Sequence, residues 1–497
     1  MRVRASQPIR PTVMDALRSP RLLSREVLAG LVVAIALIPE AIAFSIIAGV
    51  DPRYGLFASF VMAVAIAFLG GRPAMITAAT GAVALVIAPV VREHGVDYFI
   101  ATVIRGGLIQ VVFAVVGIAK LMRFIPRSVM VGFVNALAIL VFAAQFPQLI
   151  DVPWLVYPMV ACGLLIIYLL PRITAVIPAP LVAIVVITAA AVVWGLNVPT
   201  VGDQGALPES LPSLFIPQVP FTLETLSIIA PYALAMAVVG LLESLLTAKL
   251  VDEITDTHSS KTREAAGQGA ANILSGFFGG MGGCAMIGQT MINVKVSGAR
   301  TRISTFLAGV FLLILVVVFG DLVAQIPMAA LVAVMFAVCV ATFDWHSIQP
   351  STLRRMPKSE TFVMLTTVVF TVWTHNLAVG VGVGVLTAMV LFARRVAHVT
   401  SVVREESDDA DAVRYTVRGA LFFASSNDLT TQFEYTKDPM HVVLDMSEAH
   451  IWDASSVAAL DAVETKYRRL GKQLRIEGLS DEAGSLHRRL SAGSDGA

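Results

Sequence analysis

The chain alternates long apolar runs with short clusters of charge, and that rhythm sets the elements to expect. Residues 1–26 hold six arginines against Asp15 and Glu26, whereas Val27 to Val50 contain a single charge, Glu40. A helix needs about 20 apolar residues to cross the hydrocarbon core of a bilayer, so 27–50 predicts a first membrane span. Charge-free runs of similar or greater length recur at Ser128–Ile150, 152–171, Ile173–Gly202, Thr225–Leu242, Ile303–Gly320, Leu322–Phe343 and Thr361–Ala393. The last is too long for one span, and Thr374-His375-Asn376 predicts the turn that divides it.

Loop charge selects a count of fourteen spans. With the arginine-rich N-terminus in the cytoplasm, Lys and Arg should follow even-numbered spans. They do so at Arg72, at Lys120, Arg123 and Arg127, and at Arg172. The second half repeats this at Lys261 and Arg263, at Lys295, Arg300 and Arg302, at Arg354, Arg355 and Lys358, and at Arg394 and Arg395. The long outer loop 197–224 carries Asp203, Glu209 and Glu224 and no Lys or Arg. Both termini are therefore expected in the cytoplasm, with the spans in a bacterial inner membrane. The first apolar run lacks a small-residue cleavage site after it and reads as a retained span, not a removed signal peptide.

Composition agrees. Charged residues make up 14% of the chain, against about 25% in soluble domains. The net charge of +1 gives no reason to expect a nucleic-acid partner. Cys162, Cys284 and Cys339 are widely separated in apolar stretches and read as inert buried thiols with no disulfide framework.

The character changes at Arg404. Residues 404–411 read as an acidic linker between a 27–403 transporter domain and a soluble domain over 412–490, with a short disordered tail at 491–497. Runs at Arg414–Ala424, His441–Met446 and Gln473–Glu477 predict strands. Helical spacing appears at Asn427–Tyr435 and Ser455–Leu470, the second with Val457, Leu460, Val463 and Tyr467 on one face.

One apolar stretch breaks the helical pattern. Gly276–Asn293 has no charge and six glycines between 276 and 288, each costing about 1 kcal/mol in a helix interior. Irregular backbone at membrane depth is tolerated only where protein buries it or a polar cavity meets it. The first half carries an echo: Gly70-Gly71 then Ala74-Met75-Ile76, against Gly279-Gly280 then Ala285-Met286-Ile287. Glu40 sits in span 1 and Glu243 in span 8. The pattern predicts a 7+7 inverted repeat whose interrupted helices bracket a midplane site.

The chemistry follows from that geometry. Spans 3 and 10 would be half-helices whose N-termini, with unpaired N–H groups and roughly +0.5 charge each, suit a small anion. Gly81, Ala82 and Val83 would line one end, and Gly288, Gln289 and Thr290 the other. Intramembrane carboxyls cost about 2.5–3.5 kcal/mol on insertion scales and are usually functional. Glu40 and Glu243 are thus candidates for carrying a proton. Glu243 with Thr247, four positions on along one helix face, could instead hold a sodium ion, and either carboxyl could simply tie helices together in neutral form. Phe44, one turn beyond Glu40, shares its face. Arg105 reads as a packing or snorkelling residue. Asp453-Ala454-Ser455-Ser456 opens a helix with Asp453 as its N-cap. No phosphate-binding Gly-Lys loop supplies an ATP-driven engine, and no His/Cys metal spacing appears.

Several motifs resemble those of the sulfate permease (SulP) anion transporters, solute carrier family 26. They are Pro39-Glu40-Ala41-Ile42-Ala43-Phe44-Ser45, Glu243–Thr247 followed by Gln268-Gly269 and Asn272, and Asn293 with Ser297–Thr301. Arg418–Phe423, Leu444–Ser447 and the Asp453 tetrad are similar to that family's C-terminal STAS domain. The resemblance spans nearly the whole chain. It implies an α-helical membrane protein of fourteen spans with a small cytoplasmic α/β STAS domain, usually a homodimer, and an anion held between spans 3 and 10 beside Phe44. Many members carry Ser-Arg where this chain has Gly288-Gln289. The missing fixed charge favours symport, with a co-transported proton or sodium ion in place of a cofactor. A dicarboxylate such as fumarate is the favoured substrate and bicarbonate or sulfate the alternatives. A neutral nucleobase carrier and a passive anion channel are the remaining rivals. Ser455 matches the position phosphorylated in anti-sigma-antagonist relatives, and the STAS domain is a candidate for binding a regulatory protein.

Overall fold

Helices begin and end where the charge clusters and glycines fall. The structure is a computed structural model, which describes residues 11–117, 120, 125–173, 178–397, 401–406, 411–422, 425 and 429–479. The chain divides into two units, 1–385 and 386–497.

In the first unit, α1 (Val13–Arg18) opens with a capping box at Thr12 and Asp15. Next come α2 (Pro20–Ala48) and α3 (Pro52–Leu69), then a two-residue strand β1 (Thr77–Ala78). After it lie α4 (Gly81–His94), α5 (Val96–Val116), α6 (Arg127–Ala143), α7 (Val156–Leu169) and α8 (Ala179–Val193). A long connection leads to α9 (Leu223–Thr255) and α10 (Lys261–Phe277), then strand β2 (Cys284–Ala285) and the short α11 (Ile287–Met291). A π-helical turn over Ile292–Val296 continues α11. The unit proceeds through α12 (Arg302–Val318), α13 (Gly320–Ala324), α14 (Met328–Thr342), α15 (Pro350–Arg355) and α16 (Lys358–Thr374) into α17 (Leu377–Ala397). The expected turn before α17 is present, with His375 in the left-handed region at φ 52°.

Among the described residues, six helices are long and apolar enough to cross a membrane, and shorter apolar helices accompany them. Exposed Leu108, Val112, Val115 and Val116 on α5, and Val185, Val186, Val192 and Val193 on α8, form the apolar outer surface such a protein presents to lipid.

The buried centre is where β1 and β2 meet. They pair antiparallel, Thr77 opposite Ala285 and Ala78 opposite Cys284. The pair corrects the register of the sequence echo. A two-fold through it matches Thr77-Ala78 with Cys284-Ala285, so Ala74-Met75-Ile76 is not the counterpart of Ala285-Met286-Ile287. Gly283 permits the approach, because a Cβ there would sit 1.9 Å from the Ala78 carbonyl oxygen.

Extended backbone this deep must be satisfied by side chains. Before β1, Glu264 accepts from the N–H groups of Gly71 and Arg72, and Asn293 and Thr305 donate to the carbonyls of Ala74 and Met75. Before and within β2, Asn272 bonds both the N–H and carbonyl of Gly283, Gln268 donates to that carbonyl, and Ser244 accepts from Ala285 N–H. Gln268, Asn272 and Asn293, which carried the family resemblance, therefore hold the two crossings open.

In the second unit, strands β3 (Ser401–Glu406), β4 (Ala412–Leu421), β5 (His441–Ile451) and β6 (Gln473–Glu477) form one sheet in that order. The β3–β4 pair is antiparallel and the others parallel. Helix α18 (Ala454–Arg469) supplies Val457, Leu460, Val463 and Tyr467 to the core. Arg404, Glu405 and Glu406, read as the start of a linker, are residues of β3. Acidic composition hid a strand whose other residues, Ser401, Val402 and Val403, precede the charges. The described part of the expected 427–435 helix runs mostly as turns, and the 491–497 tail lies outside the described residues. Asp438 is buried among Tyr415, Tyr467 and Arg404, accepting from all three. Burial, and then the Asp438 carboxylate, push the Tyr467 phenol well above its usual range.

Candidate functional site

The two crossings end in helix starts that face one cavity. On one side Thr80 is the N-cap of α4, its hydroxyl accepting from Val83 N–H. That leaves the first-turn N–H groups of Gly81 and Ala82 without an intrahelical partner, as at any helix start. On the other side α11 follows β2 with Met286 at its N-cap position. Gly81 and Gly288 each stand at a helix start four positions beyond the first residue of their strand.

A cavity of about 100 Å³ lies between them. Its lining includes Glu40, Phe44, Thr80, Gly81, Ala82, Glu243, Met286, Ile287, Gly288 and Gln289, and among the described residues no Lys or Arg lines it. The opposite wall is mostly apolar, from Phe133, Val134, Leu137, Ala138 and Val141 of α6 and Val338, Cys339 and the polar Thr342 of α14.

Among the described residues, each glutamate has one side-chain donor. Gln289 Nε2 donates to Glu40 Oε1 at 2.8 Å, and Cys284 Sγ donates to Glu243 Oε2 at 2.9 Å. Thr80 Oγ1 lies 3.1 Å from the same sulfur. Phe44 packs on the start of α4, since a Cβ at Gly81 would meet its ring at 2.8 Å. Gly288 is different: nothing lies within 4 Å of its Cβ position, so that end of the site has open space.

Most of the predicted site residues converge. Glu40, Phe44, Gly81, Ala82, Glu243, Gly288 and Gln289 share the cavity. Val83, Thr290 and Thr247 do not line it. The Thr290 hydroxyl accepts from Ile76 N–H at 3.0 Å and so braces the first crossing. The Thr247 hydroxyl donates to the Glu243 carbonyl at 2.8 Å, within its own helix. Ser455 is exposed in the first turn of α18, whose cap is Asp453 accepting from Ser456.

Sequence reasoning missed two polar residues and a wall. Cys284 was expected to be inert, yet it is hydrogen-bonded to a site glutamate, and Cys162 is exposed where a buried thiol was expected. Thr80 could have been found as a β-region residue before a glycine and an apolar run, a cap signature. The α6 and α14 residues are ordinary apolar span residues, and no signal distinguishes them.

Interrupted helices meeting at a buried, charge-lined cavity inside an apolar helical shell define a membrane transporter. The chain matches the sulfate permease family over residues 23–155 and 151–367, and the STAS domain over 401–491. It is 52% identical to YbaR of Bacillus subtilis (strain 168), over 94% of this chain and 97% of that one. It is 26% identical to the bicarbonate transporter BicA of Picosynechococcus sp., over 94% and 90% of the two chains. The solved transmembrane domain of a cyanobacterial BicA superposes with a TM-score of 0.64 at 25% identity, covering 74% of this chain and 98% of that one. Murine Slc26a9, in its inward-facing state, shares the fold with a TM-score of 0.80 at 16% identity, over 95% and 87% of the chains. This chain belongs to the sulfate permease family: it is a multi-pass membrane anion transporter with a C-terminal STAS domain, and not an enzyme.

Proposed function

We propose that the protein imports a small anion, with a short dicarboxylate such as fumarate favoured, by symport with protons. The observation that carries this reading is the shared cavity, in which two helix starts and two glutamates meet with no cationic side chain. A carboxylate substrate brought between two glutamates faces like-charge repulsion unless a proton accompanies it. Two helix starts supply partial positive charge but no mobile counter-charge, so a glutamate that takes up a proton offsets the charge of the cargo. The cavity of about 100 Å³, several times the roughly 10–15 Å³ that admits one water, suits a small anion. The chain crosses the bilayer fourteen times with both termini cytoplasmic, sits in a bacterial inner membrane and works as a homodimer.

Sodium-coupled uptake of bicarbonate, the cargo in BicA's name, is the second reading. It is less favoured because Thr247, the proposed partner of Glu243 in a sodium site, lies outside the cavity lining. The test is uptake of labelled fumarate, bicarbonate and sulfate into proteoliposomes, with pH and sodium gradients imposed one at a time. Saturable uptake stimulated by an inward proton gradient is expected. Stimulation by sodium alone, or unsaturable flux with no coupling to either gradient, overturns it.

A further inference from the structure

We infer that Cys284 and Thr80 form a hydrogen-bond relay by which the protonation state of Glu243 sets whether the Thr80 hydroxyl donates into the anion cavity. This deepens the proposed function and rests on its proton coupling through Glu243.

The relay follows from counting hydrogens. Cys284 has one thiol hydrogen, and it is directed at Glu243 Oε2, 2.9 Å away. The 3.1 Å contact between Cys284 Sγ and Thr80 Oγ1 must then use the hydroxyl hydrogen of Thr80. With that hydrogen on sulfur, Thr80 offers only lone pairs, one of them to Val83 N–H. Thr80 also lines the cavity, as does Glu243. While Glu243 is ionised, the hydroxyl hydrogen that could bind an anion is therefore turned away from it.

Protonation reverses the chain. One excess proton, carried by a hydronium ion in the cavity, adds to Glu243 Oε2 and leaves a neutral water; the carboxyl becomes a donor to Cys284 Sγ. The thiol hydrogen, no longer needed by the carboxylate, rotates toward Thr80 Oγ1. The hydroxyl hydrogen then swings into the cavity, where an anion accepts it. The one exchange of covalent bonds is the hydronium O–H broken for the new O–H on Glu243; the other two hydrogens stay on their own atoms and only turn. All three groups are fully buried or nearly so, and Cys284, the middle of the relay, is not part of the cavity lining, so cavity water does not replace its two contacts. The arrangement also spans the two crossings, since Thr80 ends the first and Cys284 belongs to β2.

The other ionisable groups leave this logic intact. Those sharing the cavity with Glu243 are Glu40 from α2, tied to Gln289, and Cys339 from α14. Arg92 and His94 of α4, Asp97 and Arg105 of α5, Lys261, Arg263 and Glu264 of α10, and Lys295 beyond α11 do not line it. On α9 itself, Glu224, Tyr232, Lys249, Asp252 and Glu253 also lie outside the lining, as do Glu93 of α4 and Tyr98 of α5.

The experiment measures the substrate KM between pH 8 and pH 5.5 in proteoliposomes for wild type and single variants. In wild type the KM falls as pH falls. Thr80→Val loses the acid-side improvement, so its KM at low pH is about tenfold above wild type, the worth of one hydrogen bond to a charged group. Cys284→Ala frees the Thr80 hydroxyl at every pH, so it improves the KM on the alkaline side and flattens the profile from the opposite direction. Cys284→Ser and Thr80→Ser rebuild the relay and restore the wild-type slope. A purely structural role lowers the maximal rate and leaves the pH slope alone, and that result overturns the relay. A second readout is independent of transport. The S–H stretching band of Cys284 in the purified protein, assigned by its loss in Cys284→Ser, shifts on acidification in wild type and stays fixed in Glu243→Gln. A fixed band in wild type overturns the relay even if uptake is proton-coupled. A shifting band with no proton stimulation of uptake instead sinks the proposed symport.

Discussion

The two crossings look alike in outline and differ in where they keep their polar groups. The first leads into a capped helix of fourteen residues, and its glycine, Gly81, is packed against the Phe44 ring. The second leads into five α-helical residues and a π turn, and its glycine, Gly288, borders open space. Both side-chain donors to the glutamates, Gln289 and Cys284, come from the second crossing. A rigid, capped half therefore faces a short, irregular half that carries the ties to the titratable groups. π-helical turns inside helices often mark functional sites, and here the turn begins at Ile292, three positions after Gln289.

The largest expected effect breaks the meeting of the crossings. Gly283→Ala places a Cβ on the Ala78 carbonyl oxygen, at 1.9 Å, and backbone on both sides cannot yield. It should abolish the folded protein, seen as loss of the monodisperse peak in detergent size-exclusion chromatography. Normal yield and uptake would show that the two strands do not meet as described.

Next in size is Glu243→Gln, compared with Glu40→Gln. Coupling free energies are typically about 1–3 kcal/mol, or 5–150-fold. Proton-driven uptake should fall by about that range in Glu243→Gln, while anion exchange with no gradient survives. A greater loss in Glu40→Gln would transfer the coupling role to the glutamate tied to Gln289. Removing that tie is milder: Gln289→Ala leaves the Glu40 carboxyl short of its donor, which should cost about 1–3 kcal/mol of stability. A thermal-shift assay reads it, and an unchanged melting point would mean that the 2.8 Å contact contributes nothing.

Much of this was legible in sequence, and the reasons for the rest are physical. Span-scale hydropathy marked the helices because a bilayer allows little else. The glycine cluster and the lone glutamates stood out because both are costly in that setting, and they converge on the cavity. What periodicity cannot register is direction at a helix start. Val83 and Thr290 were assigned to the site with their neighbours, but the first turn of a helix aims successive side chains about 100° apart, so only part of each triplet faces the cavity. Cys284 looked like any buried thiol, since its importance comes from a glutamate 41 positions away. In the second unit, the charges of 404–406 outweighed the strand that begins at Ser401 with two valines after it.

The smallest effect is the sharpest test of the comparison. At Gly288 an added methyl meets no atom within 4 Å, and alanine is favoured over glycine by up to about 1 kcal/mol in a helix. Gly288→Ala should therefore keep or slightly raise the melting temperature while its methyl group narrows the cavity, raising the KM a few-fold with little change in maximal rate. At Gly81 the same methyl lies 2.8 Å from the Phe44 ring and 3.0 Å from Val141. Overpacking of that kind costs about 1–3 kcal/mol, so Gly81→Ala should lower the melting temperature and displace Phe44 as well. The prediction is a split, with stability lost on the α4 side and affinity alone lost on the α11 side. Equal losses of stability at both glycines would mean that the two halves are equally packed, and the division of labour between the crossings would fall with them.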